Sequence, residues 1–385
     1  MSDSPSETEP RAPIFLHTGW RTRGTWIWAG LRRDPRACGF YEPLHEAMAT
    51  LTPETVAATS PDAWDSGHET MAPYWEEFAP LLRPGQPGLA GYLPRFACHR
   101  TFAAPGEDPE LVAWIARLLD HARAMGRVAV LKLCRGGGRV TLLRAAFPDA
   151  LHLMLTRRPD AQWASACHQA RHDNNPYFLR MPVQMLAANS RAELVRQMLD
   201  AFALPLPALD DTAPGEADGL AAQALERLSD PARYRAFLAW WLANALAGLR
   251  SGVRMIDTDT LTWSAPSHQA PALRDLARLI TDSSGLDLRL RRPRLSPPPA
   301  PLGEDQTAAH LVALNLLEAR RDTLPPGGYR CIWNLLAEGL VRPTAPRLDP
   351  LPLMPPPPPA LGAAPSAGWL AAARGLRASL FSGRG

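Results

Sequence analysis

The sequence predicts an α/β domain with a central parallel sheet and helices on both faces. Three observations predict it. Short apolar runs of strand length alternate with longer stretches of helical periodicity. The runs are apolar throughout, as strands covered on both faces are. The first of them, Ile14-Phe15-Leu16, opens at once into a polar, glycine-containing turn and then a helix, the beginning of a mononucleotide-binding α/β unit. A chain of 385 residues, 46% hydrophobic, suits one large domain with appendages or two smaller ones.

The elements follow in order. Residues 1–12 read as a disordered leader, polar and acidic at its start and unlike a signal peptide. Pro13 to His17 is the first strand, and Thr25 to Leu31 begins a helix. Residues 50–106 are less regular, rich in proline and aromatics. Pro109 to Met125 is an amphipathic helix, with Leu111, Trp114, Ile115, Leu118 and Leu119 at helical spacing. Val128 to Leu133 is a second buried strand, Arg139 to Ala146 a short helix, Leu151 to Leu155 a third strand and Pro159 to His172 another helix. Residues 174–230 read as a helical insertion broken by a proline-rich patch from Leu204 to Pro214. Pro231 to Leu249 is a strong helix, Val253 to Ile256 a fourth strand, and Leu273 to Ile280 a helix ending near Gly285. The main domain thus spans 13–290. Residues 291–341 read as a proline-rich linker with a small helical piece, and 342–385 as a Pro/Ala-rich tail holding five consecutive prolines.

Composition narrows the classes of partner. The net charge of +3 gives no electrostatic case for nucleic acid. No run of 18 apolar residues spans a membrane. Five cysteines, widely spaced and without a CxxC pair, argue for reduced thiols in a cytoplasm and against a zinc or disulfide framework. Lys132 is the only lysine among 41 basic residues, the pattern of a GC-rich bacterial genome that has drifted to arginine. A lysine that survives such drift marks a place for a compact ammonium, or has survived by chance.

Two segments carry the chemistry. The turn after the first strand, His17-Thr18-Gly19-Trp20-Arg21-Thr22-Arg23-Gly24-Thr25-Trp26, combines main-chain N–H groups, a helix N-terminus and side-chain donors on Arg21, Thr22, Arg23 and Thr25. It lacks the GxxxxGK[ST] pattern, which speaks against an ATPase or GTPase with a Mg²⁺-phosphate site. The turn after the third strand begins Arg157-Arg158-Pro159-Asp160, and Ser165 follows two helical turns on. Arginine offers a fork and serine a hydroxyl to a shared anion such as phosphate.

Together these segments resemble the sulfotransferases. That family binds the 5′-phosphosulfate of its donor in a T-x-P-K-S-G-T-T-W-like loop after the first strand. It binds the 3′-phosphate with R-x-P-x-D-x-x-x-S, which Arg157, Pro159 and Ser165 match, the Asp shifted by one to Asp160. Phe147-Pro148-Asp149-Ala150, Tyr41-Glu42-Pro43-Leu44-His45-Glu46, Met255 to Leu261 and Ser284-Gly285-Leu286 are similar to further family segments, so the resemblance covers residues 13–290. Aligned on Thr25-Trp26, the family lysine falls on Arg21 and its glycine on Arg23. A shift of one places Gly24 on the glycine and leaves Arg23 as a side-chain ligand.

The resemblance implies a P-loop-like three-layer fold, and transfer of a sulfuryl group from 3′-phosphoadenosine-5′-phosphosulfate to a hydroxyl on a glycan, lipid, peptide or small molecule, with no metal. It implies donor binding by Arg21, Thr22, Arg23, Gly24, Thr25, Trp26, Arg157 and Ser165. Glu42 is the first candidate for general base and His45 the second. Lys132 or Arg135 would contact the sulfuryl oxygens or leaving group. Trp64, Tyr74 and Trp75 are candidates for stacking on an acceptor sugar, or for packing. Two alternatives remain. One is a catalytically silent nucleotide-binding protein with a degenerate fold of this kind. The other is a P-loop-type kinase, which would need the Walker lysine that the loop lacks.

Overall fold

The computed structural model describes residues 11–61, 71–172, 174–261, 271–291 and 299–341. The tail at 342–385, most of the leader, part of the proline-rich linker and Trp64 lie outside them. Five strands form one parallel sheet: β1 (Ile14–Thr18), β2 (Ala37–Tyr41), β3 (Val128–Leu133), β4 (Leu151–Thr156) and β5 (Arg254–Asp257). Their spatial order is β2-β3-β1-β4-β5. β1 and β3 are buried along their whole length, which is why their sequences are continuously apolar. β2 has no counterpart among the apolar runs that mark the other strands in the sequence. Its segment, Ala-Cys-Gly-Phe-Tyr, is short, has a central glycine and lies between Pro35 and Pro43, so propensity alone does not mark it. Gly39 packs closely against α1: a methyl group there would lie 3.1 Å from Arg32 Cγ and 3.2 Å from the indole of Trp28, which would have to give way.

Helices cover both faces. α1 (Gly24–Arg32), α2 (Pro53–Ala57), α3 (Pro109–Ala124), α4 (Val140–Ala146) and α5 (Pro159–His172) are followed by α6 (Tyr177–Ala187), α7 (Glu193–Ala201) and α8 (Pro214–Arg227). α9 (Asp230–Ser251), α10 (Pro271–Ser284), α11 (Glu304–Glu318) and α12 (Pro326–Val341) complete the set among the described residues. One core lies between the sheet and α1, α3 and α10, built on Phe15, Trp28, Phe40, Trp114 and Leu131. A second surrounds α9 and joins α6, α7, α8, α11 and α12 through residues such as Met185, Phe202, Trp240, Ala313 and Leu336. α9 is buried on nearly every side, so its sequence is apolar all round. Ser229 caps its start ahead of Pro231, and Gly252, with φ +67°, ends it.

The order of the strands positions the site. From β1 the chain winds toward β2, and from β4 it winds the other way, toward β5. The loops after β1 and β4 therefore diverge, leaving a crevice at the carboxyl end of the sheet, where open α/β sheets receive ligands. These loops are the two chemistry-bearing segments. The register brings Lys132 beside Leu16 and Tyr41, and Asp257 beside Thr156, so the ends of all five strands meet at one edge.

Candidate functional site

The turn after β1 is held by its own polar groups. Thr22 Oγ1 donates to Gly19 O at 2.9 Å, and Ile27 N–H reaches back to Arg23 O at 3.3 Å as α1 begins. Arg21 and Arg23 both take left-handed backbone, with φ +66° and +61°. Residues other than glycine adopt that conformation at some energetic cost. Turns that include left-handed residues curl the main chain into a concave nest for anions. Arg23 thus has a glycine-like conformation, while Gly24 has the tight packing. A methyl group on Gly24 would lie 2.8 Å from Thr18 Cγ2 and 3.3 Å from Lys132 Cε.

Three arginines and a serine converge between the two loops. Arg21 Nε donates to Ser165 Oγ at 2.9 Å, and Arg157 Nη1 donates to Arg21 O at 3.4 Å. The Arg157 carbonyl is fixed from two sides, by Gln162 Nε2 at 2.7 Å and Trp241 Nε1 at 3.1 Å. Arg23 Nη1 and Arg157 Nε both reach Asp259, at 2.7 and 3.0 Å. The structure thus brings together four residues expected at the donor, Arg21, Arg23, Arg157 and Ser165, and adds Asp259, Gln162 and Trp241. Asp160 is turned the other way, paired with Arg158 at 2.5 Å. Thr25 Oγ1 lies 3.1 Å from Tyr41 Oη, and Trp26 Nε1 donates to Arg291 O at 2.7 Å, so these two brace the start of α1. A cavity of about 30 Å³, room for a water or two, lies behind the loop among Gly19, Arg21, Gln162, Phe237, Trp240 and Asn244.

A second cluster lies at the ends of β2 and β3. Glu42 is the first residue past β2, buried, with φ +50°. Its Oε1 accepts from Lys132 Nζ at 2.5 Å and its Oε2 from Cys134 N–H at 3.0 Å, with Arg135 Nη1 at 3.9 Å. Burial pushes the Glu42 carboxyl up, but the Lys132 and Arg135 charges and these hydrogen bonds prevail and hold it below the usual carboxylate range. Burial pulls the Lys132 ammonium down, and its neighbours, Glu42 among them, more than reverse this and hold it well above its ordinary value. The ammonium also sits 4.2 Å from the centre of the Tyr41 ring.

Arg135 is fully buried. Its Nη2 donates to Glu46 and to Tyr177 Oη, both at 2.5 Å, while Nε and Nη1 have no hydrogen-bond partner. His45 Nδ1 accepts the Ala47 N–H at 3.2 Å, capping a short 3₁₀ turn. Its proton therefore resides on Nε2, and burial lowers its pKa. Cys134 links the two clusters. Its sulfur accepts from Thr18 Oγ1 at 3.2 Å and Lys132 Nζ at 3.3 Å, and lies 3.6 Å from Gly19 O. Burial raises this thiol to about 12, so it is protonated.

Asp259 and Tyr177 are not among the residues that the sequence singles out, while Cys134 stands there only where the resembling family has the histidine of K-x-H. Asp259 had a faint signal, since Asp257-Thr258-Asp259 closes a strand at the ligand edge. Tyr177 comes from a helix 42 residues away from Arg135 in sequence, and no local pattern announces it. Among the described residues no three His, Cys, Asp or Glu side chains converge as metal ligands, and no helix is long and apolar enough to cross a membrane.

No family model matches the chain, and no curated protein matches it significantly. Among solved structures, a sulfotransferase from Alicyclobacillus acidocaldarius is similar over 84% of this chain and 100% of its own, at 14% identity and a TM-score of 0.35. An overlap that slight carries no weight for activity, and the fold assignment rests on the strand order and the two diverging loops.

Proposed function

We propose that the protein is a sulfotransferase that takes a sulfuryl group from 3′-phosphoadenosine-5′-phosphosulfate and passes it to a hydroxyl acceptor. One observation carries the reading: Arg21 and Arg23 from the loop after β1, Arg157 from the loop after β4 and Ser165 from α5 converge on one place. Guanidinium forks and a serine hydroxyl, beside a nest-forming turn at a helix N-terminus, suit a ligand with two separate phosphate groups.

The donor supplies an activated sulfur whose bond to the bridging phosphate oxygen breaks as the acceptor oxygen attacks. The chain's own groups do the rest. Glu42 Oε2 takes the acceptor proton. Lys132, whose stem lies against Gly24 at the start of α1, takes the place of the missing loop lysine from the neighbouring strand and neutralises charge on the leaving oxygen. Paired with Lys132, Glu42 is a weak base. Movement of the ammonium toward the leaving group raises the basicity of Glu42 as the proton arrives. The unpartnered Nε and Nη1 of Arg135 are donors for a sulfuryl or acceptor oxygen. His45, with Nδ1 committed to Ala47, holds the turn that carries Glu42 and Glu46.

The closed Glu42–Lys132 pair also suits a protein that binds the nucleotide without turnover. Calorimetric titration with adenosine 3′,5′-bisphosphate, followed by transfer of labelled sulfate to a panel of hydroxyl acceptors, separates the two. Arg157→Ala should weaken bisphosphate binding by about 2 kcal/mol, roughly 30-fold, because a charged hydrogen-bonding partner is lost. Unchanged affinity in that variant, or binding of ATP with Mg²⁺ in place of the bisphosphate, overturns the assignment.

A further inference from the structure

The carboxylate of Asp259 lies where a phosphate is expected. One oxygen, Oδ1, accepts from Arg23 Nη1 at 2.7 Å and from Arg157 Nε at 3.0 Å, and Arg23 Nη1 also donates to Thr258 O at 3.1 Å. The turn that presents Asp259 is firmly built. Asp257 Oδ1 accepts the Asp259 N–H at 2.9 Å. Thr258 N–H and Oγ1 both donate to Thr156 O, at 2.9 and 3.1 Å, tying the turn to the end of β4. Thr260 Oγ1 donates to Asp257 O at 2.7 Å. Among the described residues the charged groups around this seat include Arg21, Arg23, Arg157 and Arg158 on one side, and Asp257, Asp259 and Glu338 on the other.

We propose that Asp259 is a specificity-determining residue of the donor site, a built-in stand-in for the 3′-phosphate that a ligand must bring its own phosphate to displace. This rests on the reading of Arg157 as a phosphate ligand. A carboxylate and a phosphate cannot share the same guanidinium edge without repulsion, so a nucleotide with a phosphate at this seat must first break both charge-assisted bonds of Asp259. A nucleotide carrying only a 5′-phosphate leaves the Arg157–Asp259 pair intact. A 5′-phosphate that engages Arg23 gives up at most the Arg23–Asp259 bond, whereas the bisphosphate gives up both, so Asp259 lowers the apparent affinity for the bisphosphate more than that for the monophosphate. It compresses the ratio between the two, and specificity is that ratio. The same device weakens the hold on the spent bisphosphate, whose release must follow each turnover.

The test compares full-length wild type, Asp259→Asn and Arg157→Ala by calorimetry with adenosine 3′,5′-bisphosphate and with adenosine 5′-monophosphate. Asparagine keeps the shape and can still accept one hydrogen bond, so the turn is retained, which the melting temperature checks. Asp259→Asn is expected to tighten bisphosphate binding about tenfold and to change monophosphate binding by no more than about threefold. Weaker bisphosphate binding would make Asp259 a residue that orients the arginines, and equal gains for both nucleotides would reduce it to a general repulsive charge. Either result, or no change, overturns the proposal. If Arg157→Ala loses affinity while Asp259→Asn gains none, this inference alone fails. If the wild type does not bind the bisphosphate, the donor-site reading fails, and this inference with it.

Discussion

At the scale of the residue, the Glu42–Lys132 pair sets the energetics of the site. Both groups are almost wholly enclosed, their side chains 6% and 5% exposed. Such a pair adds little net stability, but removing one partner strands a buried charge. The folded pKa of Glu42 is depressed, so its contribution is present above the unfolded value near 4.5 and lost as pH falls. That of Lys132 is raised, so its contribution is present below 10.5 and lost only as pH climbs above it. The pair is thus intact from about pH 5 to 10. Lys132→Met should destabilise the protein by about 3–5 kcal/mol, with the cost largely relieved in the double variant Lys132→Met/Glu42→Gln, measured by urea unfolding at pH 7. Additive losses would show that the pair is not coupled. Glu42→Gln alone should abolish sulfate transfer while sparing bisphosphate affinity. Lys132 stood out in the sequence as the lone lysine at a strand's carboxyl end, and Arg157 and Ser165 through the resemblance of their segment to R-x-P-x-D-x-x-x-S. Their pairings were not legible there, since the Lys132–Glu42 contact joins residues 90 apart and the Arg157–Asp259 contact residues 102 apart.

At the scale of the element, the three glycines between β3 and α4 allow close approach on three sides: Gly136 to His17 of β1, Gly137 to Asn244 of α9 and Gly138 to Thr101. A methyl group on Gly137 would lie 2.2 Å from Asn244 Oδ1, and one on Gly138 would lie 2.7 Å from Thr101 Cγ2 and 2.8 Å from Thr101 O. Arg139 follows directly, fully buried, with Nη1 and Nη2 donating to the carbonyls of Arg135 and His99 at 3.0 and 2.6 Å. Burial pulls its guanidinium down to about 10. This link holds the loop that carries Arg135 against the 90s segment. Asn244 Oδ1 has no hydrogen-bond partner, while Nδ2 donates to Trp240 O at 2.7 Å. Gly137→Ala should therefore cost about 1–3 kcal/mol by overpacking, and Asn244→Ala, which removes the two nearest obstructing atoms but keeps Cβ at 2.9 Å, should restore part of it in thermal unfolding. A loss that the second substitution leaves in place would locate the strain in the backbone. The strand–loop–helix rhythm of β1, β3, β4 and their following helices was readable from apolar runs and periodicity, because both faces of these strands are covered. β2 was not, because its central Gly39 lowers strand propensity, and the close packing of Arg32 and Trp28 against it exists only once α1 has packed.

At the scale of the whole molecule, the two cores meet at the sheet edge that holds the site, and buried imidazoles run through both. Among the described residues, burial is the main cause lowering the pKa of His17, His45, His99, His152 and His310. His310 is a satisfied neutral ring, with Nδ1 donating to Leu336 O at 2.9 Å and Nε2 accepting from Tyr234 Oη at 2.6 Å. His17 and His152 are more constrained. Their chain of contacts runs from Gly136 O to His17 Nδ1 (3.1 Å), from His17 Nε2 to His152 Nδ1 (3.0 Å) and from His152 Nε2 to Phe147 O (3.0 Å). Three links between two carbonyls need three protons, and two neutral imidazoles carry two. A third proton would complete the chain, but burial and the neighbouring His152 push His17 down to about 3. Because all five folded pKa values lie below the unfolded 6.5, the unfolded chain binds more protons on acidification. The histidine contribution to stability is therefore complete above about pH 6.5 and lost as pH falls, each group adding up to about 1.4 kcal/mol per pH unit. Asp257 acts in the opposite sense. Burial raises it to about 6, so its ionisation removes stability as pH rises from about 4 toward 6. Glu77, also raised by burial, acts in the same sense, and two carboxyls do not offset five imidazoles. Urea unfolding should thus give a flat stability between pH 8 and 7 and a loss of several kcal/mol by pH 5, and His310→Gln should reduce the steepness of that loss by about one proton. A stability that holds level down to pH 5 would mean that these rings take up protons inside the fold, with the His17–His152 chain the first place to look for one.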